Sequence, residues 1–138
     1  MFAALSSLSW LAVLVAFAVY YFLGAAWFAA LFAKPYRTSL GKATEAPTPM
    51  STIFFVGPAL CTLVVTVASA GLMNLLRIDT YGQALEFALY VGLGYLVANT
   101  VNIAINPNIP RPLLYSLISG SYHLVGIVLA SLILVALS

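Results

Sequence analysis

The sequence predicts an all-α fold, a four-helix bundle that crosses a membrane, and three observations carry the prediction. Of the 138 residues, 64% are hydrophobic and 6% charged, against about 25% charged in a soluble globular chain. Apolar runs over about 7–32, 51–76, 80–106 and 113–137 are each long enough for a hydrocarbon core of about 30 Å. Between those runs fall every charged residue except Glu86 and every proline except Pro58. The length suits one four-span domain, 1–138.

The first span has Ser6, Ser7 and Ser9 available as caps and Trp10 as an interfacial anchor. It contains no charge, and the chain has no basic residue before Lys34, so the positive region of a signal peptide is missing and the segment is expected to be retained. Tyr20, Gly24 and Trp27 share one face, where Gly24 lets a neighbouring helix approach between two aromatic rings. The segment 34–50 carries Lys34, Arg37, Lys42 and Glu45 among prolines and a glycine. It forms the one long loop, either a short interfacial helix or a flexible connection.

In the second span Gly57-Pro58 marks either the true helix start or a kink about one turn inside. Thr62, Thr66 and Ser69 form a polar stripe whose hydroxyls are expected to bond back to their own helix. Cys61, the single cysteine, reads as a small buried hydrophobe and permits no intrachain disulfide. A short turn at 77–82 leads to Thr80 and Gln83, which have capping-box spacing.

The third span then places Ala88, Gly92, Tyr95, Asn99, Asn102 and Asn106 within roughly 60° on one face of an unbroken α-helix. Amides find no partner in lipid, so this face is expected to turn toward the bundle, with the other helices around it. Glu86 lies about 140° away, at the interface or paired with Arg77.

Prolines at 107, 110 and 112 end the third span and make a tight connection, so the third and fourth spans are antiparallel neighbours. In the fourth, Ser116, Ser119, Gly120, His123 and Ala130 share a wedge of roughly 100°. Counting from the tight turn puts Asn102 level with Ser116, Asn99 with Ser119 or Gly120, and Tyr95 with His123, while Thr62 and Thr66 reach the depth of Asn99 and His123. The predicted site is therefore a cluster of Asn99, Asn102, His123, Ser119, Ser116, Tyr95, Thr62 and Thr66.

Two functions fit such a cluster. One is a channel, transporter or binding protein for a small solute or ion, assembled as a homo-oligomer through the small-residue faces Ala84-Ala88-Gly92 and Gly126-Ala130. The other is a structural or accessory protein whose polar groups only hold helices together. His123 is the single histidine, so no histidine-based metal site is expected, and no cofactor is implied. With only Glu45, Asp79 and Glu86 as carboxylates there is no acid–base pair, and no nucleophile has an evident base, so an enzyme is not expected. A net charge of +2 without a basic cluster excludes a nucleic-acid partner; the lipid bilayer is the expected environment. Lys34, Arg37, Lys42 and Arg111 lie on one side against Arg77 on the other, so loop 34–50 is expected in the cytoplasm and both termini outside.

Ser9-Trp10-Leu11-Ala12-Val13-Leu14, Gly24-Ala25-Ala26-Trp27-Phe28, Leu31-Phe32-Ala33-Lys34 and Tyr122-His123-Leu124 together resemble a bacterial integral-membrane family known only as a domain of unknown function. The chain departs from that family's pattern at Ser9, Phe28 and Ala30, where Asn, Tyr and Pro stand. The resemblance implies a four-span fold in the bacterial inner membrane and brings no activity with it.

Overall fold

The computed structural model describes residues 6–46 and 49–138. Residues 1–5 of the predicted domain, with Pro47 and Thr48 of the predicted loop, lie outside the described residues. Four helices are long and apolar enough to cross a membrane: α1 (Trp10–Leu31), α3 (Ile53–Leu75), α4 (Tyr81–Ala104) and α5 (Pro112–Ala136). A short helix, α2 (Ala33–Ser39), follows α1, so the first part of the polar loop is helical. Each span ends within three residues of its predicted limit.

The helix starts follow from local chemistry. The Ser9 hydroxyl accepts from the Ala12 N–H at 3.4 Å and donates to the Leu137 carbonyl at 3.0 Å, joining the start of α1 to the end of α5. Thr80 and Gln83 form the predicted capping box of α4. Pro112 opens α5, where a missing N–H leaves no bond unmade. α3 begins at Ile53 and takes Pro58 into its interior, so Pro58 is not the helix start. On the loop side, the Arg111 N–H donates to the buried Ser39 carbonyl at 3.3 Å. Gly41, at φ +74°, packs beside Pro110. These contacts pin α2 against the α4–α5 connection.

The centre of the bundle is α5, not the third span. It buries nine residues, from Ile118 to Leu134, and packs on α1, α2, α3 and α4, whereas α3 leans mainly on α1 and α4 on α5. Close approach is bought with missing side chains. A β-carbon on Gly126 would fall inside the Tyr20 ring, and one on Gly92 would lie 2.8 Å from Leu124 Cδ1 and 3.0 Å from Ile127 Cγ2. Helices in lipid associate through such packing, because the tails already solvate apolar side chains.

Two of the spans contain a wide, π-helical turn. In α1 it covers Trp27–Leu31, and the Phe32 N–H reaches the Trp27 carbonyl, five residues back, at 2.8 Å. In α4 it covers Gly92–Val97, with the Ala98 N–H bonded to the Leu93 carbonyl. A π turn accommodates one extra residue, so everything beyond it is displaced by one position, about 100°, from the α register. Before the turn α4 buries Ala84, Ala88 and Gly92; after it, Thr100 and Ala104. Tyr95, Asn99 and Asn102 are consequently exposed on the outside of the bundle, which overturns the predicted inward asparagine face.

Two further expectations change for packing reasons. Ala84, Ala88, Gly92, Gly126 and Ala130 are buried between α4, α5 and their neighbours, so these small-residue faces are consumed within one chain and offer no oligomer surface. Cys61 lies on the exposed side of α3.

Candidate functional site

The site begins with Tyr20, which is 2% exposed. Its ring lies over Gly126 and its hydroxyl sits 3.1 Å from His123 Nδ1 and 3.2 Å from the His123 carbonyl oxygen. A phenol has one proton to give. If the carbonyl receives it, Nδ1 carries the imidazole hydrogen and donates to the Tyr20 oxygen, leaving Nε2 as a bare acceptor. If Nδ1 receives it, Nε2 carries the hydrogen and is a donor. In both arrangements the imidazole is neutral, its orientation is held by Tyr20, and Nε2 has no partner among the described residues.

His123 also borders a cavity of about 160 Å³ lined by Phe28, Tyr36, Thr100, Ile103, Tyr115 and Ser119. Phe28 comes from the wide turn of α1, Tyr36 from α2, Thr100 and Ile103 from beyond the wide turn of α4, and the others from α5. Ser119 is one helical turn from His123 and 4% exposed, and its hydroxyl has no hydrogen-bond partner. The Thr100 hydroxyl donates to the Leu96 carbonyl at 2.7 Å and keeps its lone pairs. No lining residue is a carboxylate, lysine or arginine. A dry apolar cavity of about 150 Å³ holds a benzene molecule, so the volume suits a solute of a few heavy atoms or several waters.

Aromatic rings frame the loop-side end. Phe28 and Tyr36 meet edge to face at 4.8 Å, and Tyr36 lies 5.8 Å from Tyr115. Burial, with Tyr115 beside it, pushes the Tyr36 hydroxyl up to about 12, so it stays a neutral donor in the ordinary pH range. Behind them Trp27 donates from its indole nitrogen to the Ile118 carbonyl at 3.0 Å. Gly24 admits Tyr122, whose hydroxyl stands 2.8 Å from the place a β-carbon would take. The expected role of Gly24 between two rings is therefore met by Tyr122.

Of the predicted cluster, the structure brings His123 and Ser119 together at one cavity. Asn99, Asn102 and Tyr95 face outward, and Ser116 is half-buried but does not line the cavity. Thr62 and Thr66 are buried elsewhere: the Thr66 hydroxyl donates to the Thr62 carbonyl at 2.8 Å, as expected of a back-bonded stripe, and Thr62 meets Tyr122. Thr100, Phe28, Tyr36 and Tyr115 went unrecognised. Thr100 is next to Asn99 and becomes visible only once the extra residue of the wide turn is counted. Glu86 forms no ion pair with Arg77; it is exposed, separate from the cavity, as predicted.

A wider cleft of about 320 Å³ lies at the opposite end of the bundle, between Ser9, Met73, Asn74 and Asp79. Of its polar groups, Ser9 bonds to the Leu137 carbonyl and Asn74 to the Ser7 hydroxyl, while Arg77 and Asp79 give it formal charges. The His123 cavity is smaller, carries no formal charge and holds a buried hydroxyl without a partner, Ser119 Oγ, which makes it the better candidate for a neutral solute.

This arrangement defines a class: a multi-pass, all-helical membrane protein with a small uncharged pocket ending near the middle of the bundle. The chain belongs to the family described as Protein of unknown function (DUF1761), which matches residues 11–135. No curated protein and no solved structure matches it. The expected membership is thereby shown, and it carries no assigned activity.

Proposed function

We propose that the protein binds a small uncharged solute through hydrogen bonds in the His123 pocket. The observation behind this reading is the meeting of a buried hydroxyl without a partner, Ser119 Oγ, with the unengaged edge of an imidazole whose far edge is held by Tyr20. In a scaffold, polar groups bond to one another across helices; a buried hydroxyl left unbonded costs about 1–3 kcal/mol. A solute that bonds Ser119 and Nε2 recovers that cost. The lack of formal charge in the lining supports a neutral solute over an ion, and Nε2 serves as acceptor or donor according to where the Tyr20 proton lies.

Tyr20 packed on Gly126 closes the bundle beyond His123, which supports a binding pocket, or one stage of a transport cycle, over an open channel within a single chain. Ser119 makes no hydrogen bond to His123, which supports reversible binding over a nucleophile and its base. Lys34, Arg37, Lys42 and Arg111 flank the mouth side of the bundle, so by charge asymmetry the pocket opens toward the cytoplasm of a bacterial cell, with the termini outside.

The single histidine makes a direct test available. Isotope-labelled histidine in the protein reconstituted in nanodiscs reports on one imidazole. Acetamide and glycerol are the neutral probes, with potassium and tetramethylammonium as cationic controls. A saturable change at Nε2 with a neutral probe, absent with the cations and lost in Ser119→Val, is the expected result. A histidine signal indifferent to every neutral probe removes the reading.

A further inference from the structure

The outward face of α4 differs from the rest of the lipid-facing surface. The exposed sides of α1 and α3 are mainly apolar, with Leu11, Leu14, Phe22, Phe54, Leu60 and Val64 among them and Asn74 near the end of α3 as an exposed amide. Along α4, by contrast, Glu86, Tyr90, Tyr95, Asn99 and Asn102 are all exposed. Tyr90 and Tyr95 are 71% and 72% exposed, and each stands nine residues from its end of α4, about 13 Å inward along the axis. Neither hydroxyl has a hydrogen-bond partner among the described residues. Hydrocarbon offers none, so a row of hydroxyls and amides across the full thickness is stable only against other protein.

Gly94 is a second, separate observation. Gly24, Gly92 and Gly126 each make room for a side chain of this chain, whereas a β-carbon on Gly94 would meet nothing within 4 Å. It borders an outward-opening recess of about 360 Å³ with Glu86, Tyr90 and Leu93.

The geometry points to this face as the contact with a second copy of the same chain, α4 against α4. The occupant follows from the chemistry of the row. Tyrosine hydroxyls and asparagine amides both donate and accept, so Tyr90, Tyr95, Asn99 and Asn102 are complementary to their own copies, while Glu86, an acceptor only, lies five residues from the start of α4, where its carboxylate reaches the interface. A two-fold axis along the membrane normal keeps both copies in one orientation and sets Tyr90, Gly94 and Asn102 of each copy level with their counterparts. Gly94 and Ala98, four residues apart, let the two backbones approach at the crossing, and Leu93 of each copy fills the space beside Gly94. This surface replaces the small-residue faces that the bundle consumes internally, and it is independent of what the His123 pocket binds.

The test is disulfide trapping in native membranes. With Cys61→Ala as background, single cysteines are introduced as Gly94→Cys, Ala98→Cys and, for control, Val64→Cys on α3. Oxidation is expected to yield a species of twice the chain mass from the two α4 variants and not from Val64→Cys. Gly94→Leu is expected to lower the dimer fraction at least tenfold with the thermal unfolding of the bundle unchanged, because nothing within the chain touches that position. Monomer from both α4 variants, or a cross-linked product with any mass other than two copies, overturns the proposal.

Discussion

α4 and α5 run side by side through the same membrane thickness, yet they hold their buried faces in different ways. α5 is an uninterrupted α-helix from Pro112 to Ala136, and its interior positions Ser119, Tyr122, Gly126, Ala130 and Leu134 recur at three- and four-residue steps. α4 keeps that spacing only to Gly92; beyond its wide turn the inward positions are Thr100 and Ala104. One extra residue in the backbone thus decides which side chains reach the pocket. It brings Thr100 to His123 and sends Asn99 and Asn102 outward.

Removing single residues tests that difference with the largest effects. Deleting Val125 rotates Gly126, Ala130 and Leu134 away from the interior of α5, and the expected loss exceeds about 4 kcal/mol. Deleting Leu93, which is exposed in the wide turn, restores ordinary α geometry while Thr100 and Ala104 keep their places. That variant should fold, with its unfolding midpoint in detergent close to the parent. If both deletions are equally damaging, the wide turn is not the element that sets the register.

Substitutions beyond the turn sharpen the same point. Ala104 is fully buried, so Ala104→Leu overpacks the contact with α5 and should cost about 1–3 kcal/mol. Asn102→Leu, on the outside, should stay within about 0.5 kcal/mol in monomeric protein. A continuous α-helix would place Asn102 inward instead, making its replacement costly.

Within the pocket the effects are smaller and one has an unusual sign. Ser119→Ala removes a buried hydroxyl that bonds to nothing, and should raise stability by up to about 1 kcal/mol in thermal unfolding while abolishing the solute response of His123. Last comes Tyr36, outside the spans. Its hydroxyl titrates near 12 rather than at 10.0. The folded state therefore holds this proton more tightly, and its contribution to stability is complete below pH 10.0 and lost as pH rises through about 12. Tyr36→Phe should remove that segment of the pH dependence and leave the neutral-pH stability nearly unchanged.

Much of the fold was legible residue by residue. The apolar runs set the four spans, Thr80 and Gln83 the start of α4, the prolines at 107, 110 and 112 the turn into α5, and Gly24 the approach of an aromatic neighbour. The candidate site was legible only on α5, where His123 and Ser119 obey simple α periodicity. It failed on α4 because a wheel counts residues at a constant angle, and on α3 because Thr66 bonds back to the Thr62 carbonyl and Thr62 meets Tyr122 rather than the cavity.

What the sequence determined alone is whatever depends on local composition: spans too apolar for water, ends marked by caps and prolines, and family membership. Tertiary packing decided the rest. The wide turn of α4 begins at Gly92, where the helix seats closely against Leu124 and Ile127, a contact between segments more than thirty residues apart. That turn settles which of two adjacent residues, Asn99 or Thr100, shares a pocket with His123.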